Sequence, residues 1–113
     1  MEDILILVHV EPMFERLFPS LYIPRLVKAA LNHPYVVHFT SYVDDYGPIE
    51  QLCPLINEEV DWTWVHPRLR ELAESKPTIL LGGGCIGECL LNMETCLNYL
   101  GIKYRSPRGM RYG

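Results

Sequence analysis

Five consecutive apolar residues, Ile4-Leu5-Ile6-Leu7-Val8, restrict the possible folds of this chain more than any other feature. Successive side chains of a strand point to opposite faces, so a run without a polar residue leaves no face for water. Such a strand must sit inside a sheet covered on both sides, the situation of parallel sheets with crossover helices. Thr78-Ile79-Leu80-Leu81 repeats the signal. Tyr35 to Tyr42 (YVVHFTSY) adds a strand through its β-branched and aromatic content, and Ile102 to Arg105 reads as a fourth.

Between these runs the apolar spacing changes to that of helices. Ile23, Leu26, Val27, Ala30 and Leu31 mark an amphipathic helix over 20–32, with Pro24 in its first turn and His33-Pro34 as its stop. A second helix runs from Pro67 to Ser75 with Leu69, Leu72 and Ala73 on one side. A third runs from Gly87 to Leu100, with Leu90, Met93, Leu97 and Leu100 on one face and Gly101 as its C-terminal stop. Residues 44–48 (DDYGP) form a turn cluster, and 49–64 give only a short helix or an irregular wrap. The alternation predicts a three-layer α/β domain, doubly wound and Rossmann-like. Its sheet is expected to be mainly parallel with four strands in the order 2-1-3-4. In that order, strands 1 and 3 diverge at the switch point, where ligands bind beyond the carboxyl ends.

A chain of 113 residues makes one domain, 1–113, and can bury roughly two-thirds of its unfolded surface. With 49% apolar and 21% charged residues it is neither disordered, collagen-like nor coiled coil. No apolar run approaches the ~20 residues that cross a bilayer, so no membrane partner is expected. Met1-Glu2-Asp3 carries no basic leader, which predicts neither a secretory signal nor a transit peptide. Four cysteines without an export signal then imply free thiols in a reducing, cytoplasmic setting. Charge is unevenly spread. All 14 acids lie at or before Glu94, giving the first 102 residues a net −8, while Lys103, Arg105, Arg108 and Arg111 make the tail +4. That tail, 103–113, is either a frayed, mobile terminus or an anion clamp. With no basic stripe in the body, duplex nucleic acid is not expected as a partner. A small sheet with exposed edges predicts a homodimer.

The segment Gly82 to Cys89 (GGGCIGEC) joins a buried strand to a helix at the predicted switch point. Gly82, Gly84 and Gly87 match G-x-G-x-x-G, but no acid follows about twenty residues later to hold a ribose, so no dinucleotide cofactor is expected. Anion binding by free N–H groups at the helix start stays open. Gly83-Gly84-Cys85-Ile86-Gly87 has the small-residue spacing of a nucleophile elbow, with Cys85 as nucleophile, although every histidine (His9, His33, His38, His66) lies upstream. A zinc site lacks converging ligands, so no metal is expected.

Gly83 stands six residues before Cys89 and Gly101 twelve after it. In this spacing the stretch resembles the nucleophile segment of isochorismatase-like cysteine hydrolases, the family that includes nicotinamidases. The segment 14–43, with IPRLVKAALNHPYVVHFTSY, is similar to that family's first helix and second strand. The resemblance implies the fold above, Cys89 as nucleophile and a small amide or acyl-type substrate. A helix N-terminus is expected to lower that thiol's pKa. The family's catalytic aspartate, in a pattern like D-x-x-x-x-F, falls on His9 with Phe14 as the aromatic, and Glu11 is the nearest acid. No lysine lies between Lys28 and Lys76 to match the family's catalytic lysine, and the chain is shorter than a typical member.

The candidate catalytic residues are therefore Cys89, Cys85, Glu11 and His9, with Gly83, Gly84, Gly87, Glu88, Asp44 and Trp62 as ligand contacts. Cys89 or Cys85 would attack, Glu11 or His9 would move the proton and turn N–H groups would hold the oxyanion. Each residue also has a plain structural reading. His9 can be a hydrogen-bonded core residue, Glu11 a solvated loop acid, and Glu88 a partner of the helix dipole. Asp44 and Asp45 can be turn formers, and Cys53 and Cys96 small packing residues. Trp62 and Trp64, if extended, share one face and wall a pocket, a subunit contact or the underside of a loop. The alternative to hydrolysis is a catalytically silent domain of the same fold that binds a small anionic ligand or a protein.

Overall fold

Every residue of the Ile4–Val8 run is buried, as a strand covered on both faces must be. The structure, a computed structural model, describes residues 2–41 and 47–113. The chain runs β1 (Ile4–Val8), α1 (Tyr22–Leu31), β2 (Val36–Thr40), β3 (Glu58–Asp61), α2 (Val65–Ala73), β4 (Thr78–Gly83), α3 (Cys89–Tyr99) and β5 (Lys103–Arg105). Short 3-10 segments lie at Pro12–Leu17, Glu50–Leu55, Trp62–Trp64 and Arg108–Met110. Every strand pair is parallel, and the sheet order is β3-β2-β1-β4-β5.

Pleating splits β1 between two cores. Ile4, Ile6 and Val8 face α2 and α3, where Leu69, Leu90, Met93 and Leu97 close over them. Leu5 and Leu7 face the other way, onto Tyr22, Leu26 and Ala30 of α1 and Leu52 beyond it. Each helix buries the stripe its spacing dictates: i, i+4, i+8 in α1 and i, i+3, i+7 in α3. Pro24 falls in the first turn of α1, where a missing N–H costs nothing. Gly101, at φ +71°, ends α3 in the left-handed conformation, and Ile102 N–H reaches back to Leu97 O at 2.9 Å.

The sheet has five strands rather than four, and the order changes accordingly. The added strand, β3, lies outside β2 with Val37 opposite Glu58 and Thr40 opposite Asp61. Its sequence, Glu58-Glu59-Val60-Asp61, has one apolar residue, because an edge strand buries one face alone, and so it lacks the signal that marks β1 and β4. Its acids are held by neighbours instead. Arg68 donates to both carboxylate oxygens of Glu58, Tyr35 Oη donates to Glu58 at 2.6 Å, and Glu59 pairs with the buried His38.

The C-terminal tail is not frayed. After β5, Met110 and Tyr112 are buried, and Tyr112 N–H donates to Gly83 O at 3.0 Å. Within the described residues, Arg111 pairs with Glu94 and Arg105 with Glu2. Trp62 and Trp64 do not share a face either. A 3-10 turn carries them, so Trp62 packs on Phe39 while Trp64 points to solvent at 64% exposure. No helix among the described residues is long and apolar enough to cross a membrane.

Candidate functional site

The crossover after β1 runs to β2 and then β3 on one side, while β4 and β5 lie on the other, so the sheet's switch point falls between β1 and β4. There Leu7 opposes Gly82 and Val8 opposes Gly83. A Cβ on Gly83 would stand 2.1 Å from Val8 O, so glycine lets the two strands meet at their carboxyl ends. Gly84 N–H then closes onto Val8 O at 3.0 Å, and the chain bends through Cys85-Ile86-Gly87-Glu88 into α3. The Gly84–Cys85 peptide bond is cis.

On the β1 side, His9 is a non-glycine residue in the left-handed region, at φ +51°. Its N–H donates to Phe39 O at 2.9 Å. The ring is buried, 4.8 Å from Trp62. His9 Nδ1 faces two acceptors, Phe39 O at 3.2 Å and Glu11 Oε2 at 3.3 Å, so Nδ1 carries the proton. Nε2 of the neutral ring is then the basic nitrogen, and among the described residues it makes no hydrogen bond.

Glu11 is buried as well, which rules out the solvated-acid reading. Its carboxylate accepts from Thr40 Oγ1 at 3.1 Å, from Ser41 Oγ at 2.8 Å and from Ser41 N–H at 3.2 Å. Burial alone would raise its pKa. The donors on His9 and Ser41 outweigh that and hold it below its ordinary value. Glu11 is thus a fixed anion, suited to orienting an imidazole.

The thiols depart from expectation. Cys89 opens α3, yet its pKa is pushed up, first by burial and then by the charges of Cys85, Glu88 and Glu11. Burial and Glu88 push Cys85 up in the same way. Desolvation and nearby anions outweigh the helix N-terminus, whose effect fades within a turn. Cys89 packs in the cluster that holds Val8, Leu90 and Trp62, so thiol, imidazole neighbour and carboxylate share one end of the sheet.

The remaining candidates divide. Gly83 backs onto Val8, and Gly84 faces the Tyr112 ring, where a Cβ would come within 2.7 Å. Ile86 N–H, a donor the bend offers to an oxyanion, is taken by Tyr112 O at 2.9 Å. Gly87, at φ +83°, has open space around it. Glu88 is exposed and makes no side-chain cap to α3. Trp62 contacts His9 directly, whereas Asp44 lies outside the described residues. Cys96 lies apart from this end, with its sulfur 3.4 Å from His66 Nδ1 beside a cavity of about 360 Å³ between α2 and α3. Another cavity, about 430 Å³, lies at the opposite end of β4, between Lys76 and Lys103.

Sequence reasoning missed three contributors. Thr40 and Ser41 end the strand beside β1, and the parallel pairing of β1 with β2 could have placed them near Glu11. Tyr112 carried no signal, since nothing local marks a tail residue that packs on Phe18 and Tyr22 at 4.9 and 5.9 Å.

No known family's sequence profile matches the chain, and no curated protein matches it. Among solved structures, the MAR1 ribonuclease from Caenorhabditis elegans is similar to it, with a TM-score of 0.78 and 14% identity over 98% of this chain. The chain spans 65% of that protein's length, and at such identity the likeness is one of fold alone: a parallel, three-layer α/β domain.

Proposed function

We propose that this chain is an isochorismatase-like small-molecule hydrolase that uses a cysteine nucleophile on an amide or acyl-type substrate. The observation that carries the reading is the Glu11–His9 pair at the end of β1, set against the cysteine-bearing bend after β4. In this reading Glu11 orients the ring through Nδ1, and Nε2 takes the Cys89 proton as the sulfur attacks the substrate carbonyl. The imidazolium returns the proton to the leaving amine or alcohol, leaving a thioester. Water, deprotonated by the same nitrogen, then hydrolyses the thioester and restores the thiol. Because burial and neighbouring charges push the Cys89 pKa up, the thiol is protonated at neutral pH, and the reading requires the imidazole to take its proton. Cys85, in the bend that leads into α3, is the second candidate nucleophile.

A catalytically silent domain binding a small anionic ligand or a protein is the second reading. It is supported by the raised pKa of both thiols, by the occupied Ile86 N–H and by the lack of a lysine between Lys28 and Lys76. The neighbour's name raises RNA as a substrate, but the net −8 of the first 102 residues repels a polyanion.

Alkylation by iodoacetamide, resolved by mass spectrometry and followed against pH, tests the two. The hydrolase reading expects Cys89 to react faster than the urea-unfolded chain, with a pH dependence that His9→Asn abolishes. If Cys85 and Cys89 both react no faster than the urea-unfolded chain at every pH, the silent-domain reading stands. The proposed homodimer is checked by light scattering at high concentration, where a particle of 13.1 kDa alone would refute it.

A further inference from the structure

Tyr112 touches the candidate site at three points. Its hydroxyl donates to His9 O at 2.5 Å, its N–H donates to Gly83 O at 3.0 Å, and its carbonyl accepts from Ile86 N–H at 2.9 Å. One residue therefore bonds the end of β1, the end of β4 and the bend that follows. We propose that Tyr112 is a positioning residue, bracing the left-handed end of β1 against the bend so that His9 and Cys89 keep one relative placement. The inference rests on the hydrolase reading above.

The backbone of His9 explains why a brace is needed. A side chain at φ +51° is disfavoured, and such a residue persists only where its surroundings over-determine it. Phe39 O holds its N–H from the β2 side, and the Tyr112 hydroxyl holds its carbonyl from the tail. Without the second bond the His9 peptide loses the partner that fixes its plane, and the Glu11–His9 contact, already 3.3 Å, loses its register. The Tyr112 ring is itself fixed, buried to 2% exposure against Phe14, Phe18 and Tyr22. It is therefore a strut rather than a lid. Arg111, whose Nη2 donates to Glu94 at 2.8 Å, ties the same segment to α3.

Tyr112→Phe removes the hydroxyl and keeps the ring. Among the described residues, the titratable groups around His9 and Cys89 are Glu11 beyond β1, Cys85 and Glu88 in the bend and Tyr112 itself, and replacing the tyrosine alters none of the charges these carry at neutral pH. Its readout is the pH profile of Cys89 alkylation, with Cys96 on α3 as the internal reference. The expected result is a roughly tenfold slower Cys89 reaction at neutral pH and a displaced midpoint, with Cys96 unchanged. A Cys89 profile identical to the parent's overturns the proposal. So does a parallel rise of both rates toward the unfolded chain's, which would mark general loosening. Should Tyr112→Phe fail to fold, Arg111→Ala frees the tail from Glu94 with the tyrosine intact and is expected to shift Cys89 in the same direction; no shift overturns the proposal. His9→Asn separates the two levels. If it flattens the profile and Tyr112→Phe leaves it unmoved, the hydrolase reading stands and the brace falls. If His9→Asn has no effect, both fall.

Discussion

Replacing Gly83 by alanine tests the close approach of β1 and β4, on which the site's assembly depends. Two costs add. At φ +107° an L-residue is strained, on the order of 1–3 kcal/mol. The new Cβ would also meet Val8 O at 2.1 Å and Val8 N at 2.5 Å, backbone atoms that cannot rotate away. To reach even a tight contact the strands must part by about 1 Å, which stretches the Gly84 N–H to Val8 O bond from 3.0 Å past any hydrogen-bonding distance. Leaving that buried pair unmet costs about 1–3 kcal/mol. The sum, roughly 2–6 kcal/mol before repacking, is a large share of the 5–15 kcal/mol a domain has in total. Gly87→Ala supplies the control. It too replaces a glycine at positive φ, but nothing lies within 4 Å of the new methyl, so only the backbone term of about 1–2 kcal/mol applies. Urea denaturation followed by circular dichroism gives both values. With the backbone term common to both, Gly83→Ala is expected to be about 1–3 kcal/mol less stable than Gly87→Ala, equivalent to roughly 5–15 °C in melting temperature for a domain of this size. Equal stabilities would refute the close approach of β1 and β4.

Other expectations follow from the same geometry. Glu11 has its folded pKa lowered, so it contributes stability above its ordinary value of 4.5, and that contribution is lost as pH falls through the lower folded value. Glu11→Gln should therefore be less stable at neutral pH and lose stability less steeply on acidification, as measured by urea midpoints across a pH series. Tyr22→Phe removes a buried hydroxyl that donates to Met110 O at 2.7 Å and accepts from Gly83 N–H at 3.1 Å. It should cost about 1–3 kcal/mol in the same urea assay; a cost near zero would mean those two groups find other partners. Cys53, the exposed thiol, should outpace Cys96 in alkylation at neutral pH, since Cys96 is partly buried and burial pushes its thiol up. Site-resolved mass spectrometry gives the order, and a slower Cys53 would contradict it.

How much was readable in advance follows from how each element is stabilised. β1 and β4 announce themselves because burial on both faces demands an uninterrupted apolar run, and α1 and α3 because one buried stripe demands helical spacing. Their neighbour relation at the switch point followed from connection rules, and it brought Glu11, His9 and Cys89 to one end of the sheet. β3 was invisible because an edge strand with a single buried valine has no such pattern; its place is set by pairing with β2 and by Arg68 and His38, which lie on other elements. Trp62 and Trp64 misled because alternation applies only to an extended chain, and Asp61 instead caps a tight turn by accepting from Thr63 N–H at 2.8 Å. Positive charge in 103–113 suggested mobility, yet two apolar residues, Met110 and Tyr112, decide that segment's fate by burial. The thiol pKa was misjudged because a helix dipole is a local, partial charge, while desolvation acts together with the neighbouring carboxylates Glu88 and Glu11.

The acids of β3 also determine how copies of this sheet can meet. Glu58 is held by Arg68 and Tyr35, and Glu59 by His38, so the carboxylates stay fixed along that margin instead of swinging aside. A second copy adding a strand there would set two rows of carboxylates side by side, a repulsion that discourages edge-to-edge growth. The opposite margin, β5, offers only three residues. One border of the sheet is thus electrostatically sealed and the other too short to template a partner, which turns any self-association of this protein toward its helical faces.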